Sequence, residues 1–142
     1  MENTNTYPPI VVSGHRITRT FVQNHPQYIF LYGQDYSKKG CLGQAWAIAN
    51  EPNTFPIYTL YKVCNSQSDK YFHDDQFLAN CQKIDESFDA IPKDGRPVIP
   101  LHKIGCGHSQ LWIKAPQTYA YLVARLKTIM YPNIVWQWDM HV

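Results

Sequence analysis

The feature that most constrains the fold is a pattern that occurs twice: an apolar strand, a loop punctuated by glycine, then a helix. The first copy opens with Tyr28–Tyr32, YIFLY, five strand formers without a polar break, expected to stop at Gly33. The second opens with Pro97–Leu101, PVIPL. A run that is apolar at every position has no solvent face, so it belongs in a sheet covered on both sides, the usual setting of parallel strands. The loops are Gly33–Gly43, GQDYSKKGCLG, and Ile104–Leu111, IGCGHSQL. If the strands are parallel, both loops leave one carboxyl edge, which is where open α/β sheets hold ligands.

The remaining elements fit the same plan. Ile10–Val12 is a short apolar run, and His15–Val22 reads as a strand, or a strand entering a turn. A short helix is expected over about 43–50, and a strand over Phe55–Tyr61 with Pro56 at an edge or entry point. Asp74 or Asp75 can cap a helix whose stripe is Phe77, Cys81, Ile84 and Phe88. Pro116 suits the first turn of a last helix striped by Tyr119, Leu122, Val123, Leu126 and Ile129, and Ile134–Trp138 closes as a strand. Strands alternating with helices predict a mostly parallel sheet with helices on both faces.

Composition narrows the class. The chain has 142 residues, 44% hydrophobic and 17% charged, enough for one domain with its own core. Residues 1–9 read as a disordered tail and 10–142 as a single domain. No apolar run approaches the ~18 residues of a membrane span. Met1–Pro9 has no basic flank or apolar stretch, so no secretory signal is expected there and the cytoplasm is the expected location. The net charge of +2 is too mild to argue for a nucleic-acid partner. Cys41, Cys64, Cys81 and Cys106 form no CxxC pair, which leaves them as reduced thiols, and no metal or cofactor is expected.

The chemistry is expected at the two loops. Glycine lets backbone approach a ligand closely, and loop nests and helix starts aim N–H groups at anions. One such loop is equally well a plain turn; two in matched contexts suit a diphosphate. Neither is GxxxxGK[ST] or GxGxxG. Lys38 and Lys39 could face phosphates or simply be solvated, and Trp46 could stack on a base or sit in the core. Cys106 and His108 could form a nucleophile pair only if the imidazole reaches the sulfur, which spacing alone does not establish. Cys81 and Cys106 are expected to be shielded.

The late IGCG loop followed by a helix resembles that of macrodomains, especially the terminal ADP-ribose glycohydrolase class. The first loop is similar in place and glycine content to the macrodomain loop that opens a helix. Tyr-Ile-Phe-Leu-Tyr-Gly, Gly-x-x-Gly-Gln-Ala and Glu-Pro-Asn also resemble a group of small phage and bacterial proteins. The resemblance covers about residues 16–138. It implies an α/β, three-layer macrodomain-like fold with a mixed, mostly parallel sheet. It implies an ADP-ribose-type ligand held by Gly33, Gln34, Asp35, Gly40, Cys41, Leu42, Gly43 and Gln44 of the first loop. From the second loop it adds Gly105, Cys106, Gly107, His108 and Ser109. The diphosphate is expected on backbone amides at 40–44 and 105–108, and the distal ribose beside Gln34 and Asp35, although Asp35 would serve equally as a loop-capping Asx turn. Lys62 closes TLYK where that class carries its lysine. The catalytic aspartate of the class falls on Ser109 here, and its adenine-reading Gly-Asp motif is missing. The expectation is therefore a binder of ADP-ribose or a related nucleotide, able to sequester a defence signal, in the host cytoplasm if phage-encoded. The alternative is a hydrolase of ADP-ribosyl linkages using Lys62 and Asp35.

Overall fold

The computed structural model describes residues 7–13, 17–36, 48–60, 71–101, 104–106 and 109–137. Within them lie β1 (Ile10–Ser13), α1 (Arg19–Gln23), β2 (Ile29–Asp35), β3 (Thr54–Leu60), α2 (Phe77–Asp89), β4 (Val98–Pro100), α3 (Leu111–Lys114), α4 (Pro116–Ile129) and β5 (Ile134–Gln137). All strand pairings among the described residues are parallel: one sheet runs β3-β2-β4 and a second pairs β1 with β5. The fold is α/β, with parallel sheets and helices. Residues Ile29, Phe30 and Leu31 are fully buried, as expected of a strand with no polar face.

The expected single sheet is interrupted between β4 and β5, and proline explains where. The Pro97 carbonyl accepts from Ile29 and the Leu101 N–H donates to Leu31, so the odd-numbered residues of β4 face β2. By strand alternation Val98 and Pro100 face the other way. The Val98 carbonyl accepts from Tyr131 N–H at 2.8 Å, but Pro100 has no N–H to extend that ladder.

Three further expectations are corrected. Strand β2 does not stop at Gly33 but continues to Asp35, paired with β3. The segment up to Val22, expected as a strand or a strand entering a turn, contains the short helix α1. Thr18 caps it by accepting from Phe21 N–H at 3.1 Å, and Ile17 and Val22, the N′ and N4 positions of a hydrophobic staple, are buried. Tyr7 and Pro8, placed in a disordered tail, are tied down: Asn133 donates to the Tyr7 carbonyl and the Tyr131 hydroxyl to that of Pro8. The helix expected over 43–50 lies mostly outside the described residues.

Asp74 caps a helix, though not the one that follows it. Its carboxylate accepts from the N–H groups of Gln117 and Thr118 at 2.9 and 3.0 Å, and from the Thr118 hydroxyl. It therefore satisfies the first turn of α4, while α2 has no side-chain cap. Burial, the largest single influence, pushes the carboxyl up, but the Gln117 and Thr118 donors together with His73 outweigh it and hold it below 3.8. A depressed native pKa makes the contribution fully present above 3.8 and lost as pH falls through the lower native value. Asp74→Ala is expected to cost about 1–2 kcal/mol at neutral pH. The gap in thermal midpoint between the two proteins should close in strong acid; a gap unchanged down to pH ~2 would show that the ionised cap is not the cause.

Candidate functional site

Parallel pairing puts the ends of β2, β3 and β4 on one edge. Leu31 lies beside Pro100 and Asp35 beside Leu60, so the chain leaves β2 and β4 in the same direction. Asp35, at the end of β2, is only 2% exposed. Next to it β3 carries a bulge: Gln34 pairs with Tyr58 and Asp35 with Leu60, leaving Thr59 as the extra residue. Such bulges re-aim side chains at the ends of sheets.

Gly33 is a close-approach glycine. A Cβ there would sit 3.1 Å from Thr59 Oγ1 and 3.9 Å from Ile104 Cγ2, so Gly33 is where the bulge of β3 and the start of the late loop meet. Tyr36 fixes the exit of β2. Its N–H donates to the Leu60 carbonyl at 2.7 Å, and its hydroxyl donates to Glu86 on α2 at 3.2 Å. Its ring packs edge-on against Tyr58, with Lys83 over it.

The late loop turns on Gly105, whose φ of +94° only glycine adopts without strain, and again on Gln110, left-handed at φ 47°. A side chain at Gly105 would also press on the Tyr119 ring at 3.2 Å. The Gly105 carbonyl accepts from Leu111 N–H at 2.8 Å and from Trp112 N–H at 3.4 Å. The first amides of α3 are engaged by Gly105 and those of α4 by Asp74, so these two helix starts are not open to an anion; the helix start expected at about residue 43 lies outside the described residues. Ser109 is buried, and its hydroxyl makes no hydrogen bond among the described residues.

Cys106 is half-buried rather than shielded, and its thiol donates to the Tyr119 hydroxyl at 3.4 Å. That bond, followed by burial, pushes the Tyr119 phenol up. Cys81 is buried on α2 as expected, and burial, then the charges of Asp85 and Asp74, push its thiol above 9.0. Thiolate is the reactive form, so alkylation at neutral pH followed by mass spectrometry should label Cys81 more slowly than Cys106. The reverse order would contradict this placement.

Among the predicted site residues, Gly33, Gln34, Asp35, Gly105, Cys106 and Ser109 lie at or beside this edge. Gly40, Cys41, Leu42, Gly43, Gln44, Lys62, Gly107 and His108 lie outside the described residues. Thr59, Tyr36 and Tyr119 were not anticipated. A bulge leaves no mark in composition, and Tyr119 looked like one more residue of a helical stripe. At the opposite, amino edge a cleft of about 220 Å³ is lined by Gln23, Pro26, Glu51, Pro52, Asn53 and Arg96. Its polar groups serve the fold: Glu51 pairs with Arg19, Arg96 with Asp94, and Asn53 binds backbone carbonyls.

No metal-binding cluster of His, Cys, Asp and Glu occurs among the described residues, and no helix there is long and apolar enough to cross a membrane. With its parallel sheets and carboxyl-edge loops, the chain belongs to a family of unknown function, DUF7831, whose model matches residues 12–125. That span runs from β1 into α4 and takes in both loops. No curated protein and no solved structure matches the chain.

Proposed function

We propose that the protein binds ADP-ribose, or a related ADP-ribose-derived nucleotide, at the carboxyl edge of β2 and β4 in a macrodomain-like, three-layer fold. The observation that carries the reading is the parallel register of these two strands, from which both glycine-bearing segments depart on one side. Gly105 supports it, because a left-handed residue next to ordinary backbone can turn successive N–H groups toward an anion. The diphosphate rests on amides at 40–44 and 105–108. Asp35, buried at the end of β2, accepts from ribose hydroxyls. Ser109 occupies the place of the carboxylate in the glycohydrolase class, which favours binding, or sequestration of a signal nucleotide, over turnover. Calorimetric titration with ADP-ribose, NAD and AMP tests this. ADP-ribose is expected to bind with a Kd on the order of micromolar, about −8 kcal/mol. No heat from any of the three at millimolar concentration would sink the reading.

A further inference from the structure

We infer that Thr59 reads the ligand, its hydroxyl hydrogen-bonding a sugar hydroxyl of the nucleotide at the β2–β3 end of the site. The inference rests on the nucleotide-binding reading above and adds to it a residue.

Three observations converge on Thr59. It is the bulged residue of β3, set out of register at the end that faces the candidate site. It is 4% exposed, yet its hydroxyl makes no hydrogen bond among the described residues. No fully buried side-chain oxygen or nitrogen among those residues lacks a partner, so the little surface Thr59 keeps includes that oxygen. The third observation is direction. Measured from the Cβ position of Gly33, Oγ1 lies at 3.1 Å and the methyl at 3.6 Å, so the hydroxyl is turned toward the notch that glycine leaves open.

A strand-end threonine used only for packing would turn its methyl inward and tie its hydroxyl to backbone. This one holds a donor and acceptor at the mouth of a notch instead. The neighbouring pairing position belongs to Asp35. A hydroxyl residue and a carboxylate residue at neighbouring strand positions suit a diol, which both donates and accepts, better than a phosphate, which a carboxylate repels. The ribose end of the ligand is therefore assigned to β2–β3, and the phosphates to the side of Gly105.

The test uses Thr59→Val, which keeps the shape and strand propensity and removes only the hydroxyl, with Thr59→Ser as the conservative control. Thermal unfolding without ligand and titration with ADP-ribose are both measured. Thr59→Val should unfold at the wild-type temperature or above it, yet bind ADP-ribose about tenfold more weakly, as for loss of one hydrogen bond. Thr59→Ser should bind within about threefold of wild type. If Thr59→Val lowers the midpoint by more than about 4 °C, the hydroxyl is bonded inside the fold and the inference is overturned. It is also overturned if the variant is as stable as wild type and binds equally well. Failure of the wild type to bind ADP-ribose would instead remove the underlying reading, and this inference with it.

Discussion

Asn53→Ala is expected to lose about 2 kcal/mol of stability, a fall of about 7 °C in thermal midpoint. One side-chain amide serves three backbone carbonyls: Val22 at 3.1 Å, His25 at 3.0 Å and Tyr28 at 3.2 Å. Two N–H bonds cannot serve three acceptors singly, so one is shared. The side chain is nearly enclosed, which limits water's access to the vacated groups. The Val22 and His25 carbonyls keep backbone donors in the N–H groups of His25 and Tyr28, so removing the amide strands the Tyr28 carbonyl and loosens the turn joining α1 to β2, the stranded group costing about 1–3 kcal/mol where water cannot replace the donor. Asn53→Asp should be worse than alanine at neutral pH, since a carboxylate would face three carbonyl oxygens. It should recover partly in acid, where the protonated form can donate. A near-native midpoint for Asn53→Asp would show that the amide is dispensable.

Asn53 also illustrates what the sequence disclosed. Its triplet, Glu-Pro-Asn, was visible as part of a resemblance, but its work was not: Glu51 pairs with Arg19 and Asn53 stitches a turn some thirty residues earlier. Local signals were legible. Apolar β2 and β4, the stripe of α2 and Pro116 at the start of α4 all follow from patterns within one element. Long-range partnerships were not. Asp74 reads as a cap for the helix beside it, yet it serves α4, because only the folded chain brings those amides near. The site divides the same way. Its glycines could be read from the sequence, whereas Thr59 is placed by a register shift that exists only between two strands. Helix α1 was missed because Ile, Thr, Phe and Val favour strands individually, while Thr18 and the staple positions favour a helix collectively.

Ser109→Asp is expected to raise release of ADP-ribose from an ADP-ribosylated substrate by ~10²–10⁴-fold over wild type, the usual contribution of a positioned carboxylate. Ser109 follows the left-handed turn at Gly105, is buried, and has a hydroxyl that makes no hydrogen bond among the described residues, so the new carboxylate would take the place of a group the fold does not use. Wild type should bind with little turnover, since the proposed recognition rests on loop amides and Asp35. Asp35→Ala decides between the readings. Loss of affinity in a protein that turned nothing over supports the binder. If wild type is brisk and Asp35→Ala abolishes turnover while binding survives, the protein is a hydrolase. A Ser109→Asp variant that folds, binds and remains inert would place Ser109 away from the reacting bond.

The pairing of β1 with β5 bears on the order in which the molecule assembles. Tyr131 reaches Pro8 across 123 residues of sequence, and Asn133 reaches Tyr7 across 126. Closing so long a segment is entropically costly, and it brings only two four-residue strands together. It becomes favourable once β2, β3 and β4 have already drawn the intervening chain in, so this ladder is expected to form last and open first. The amides of Ile10–Ser13 should accordingly exchange with solvent ahead of those of β2. A perturbation at either strand is expected to be felt at the other, because each is the strand the other pairs with.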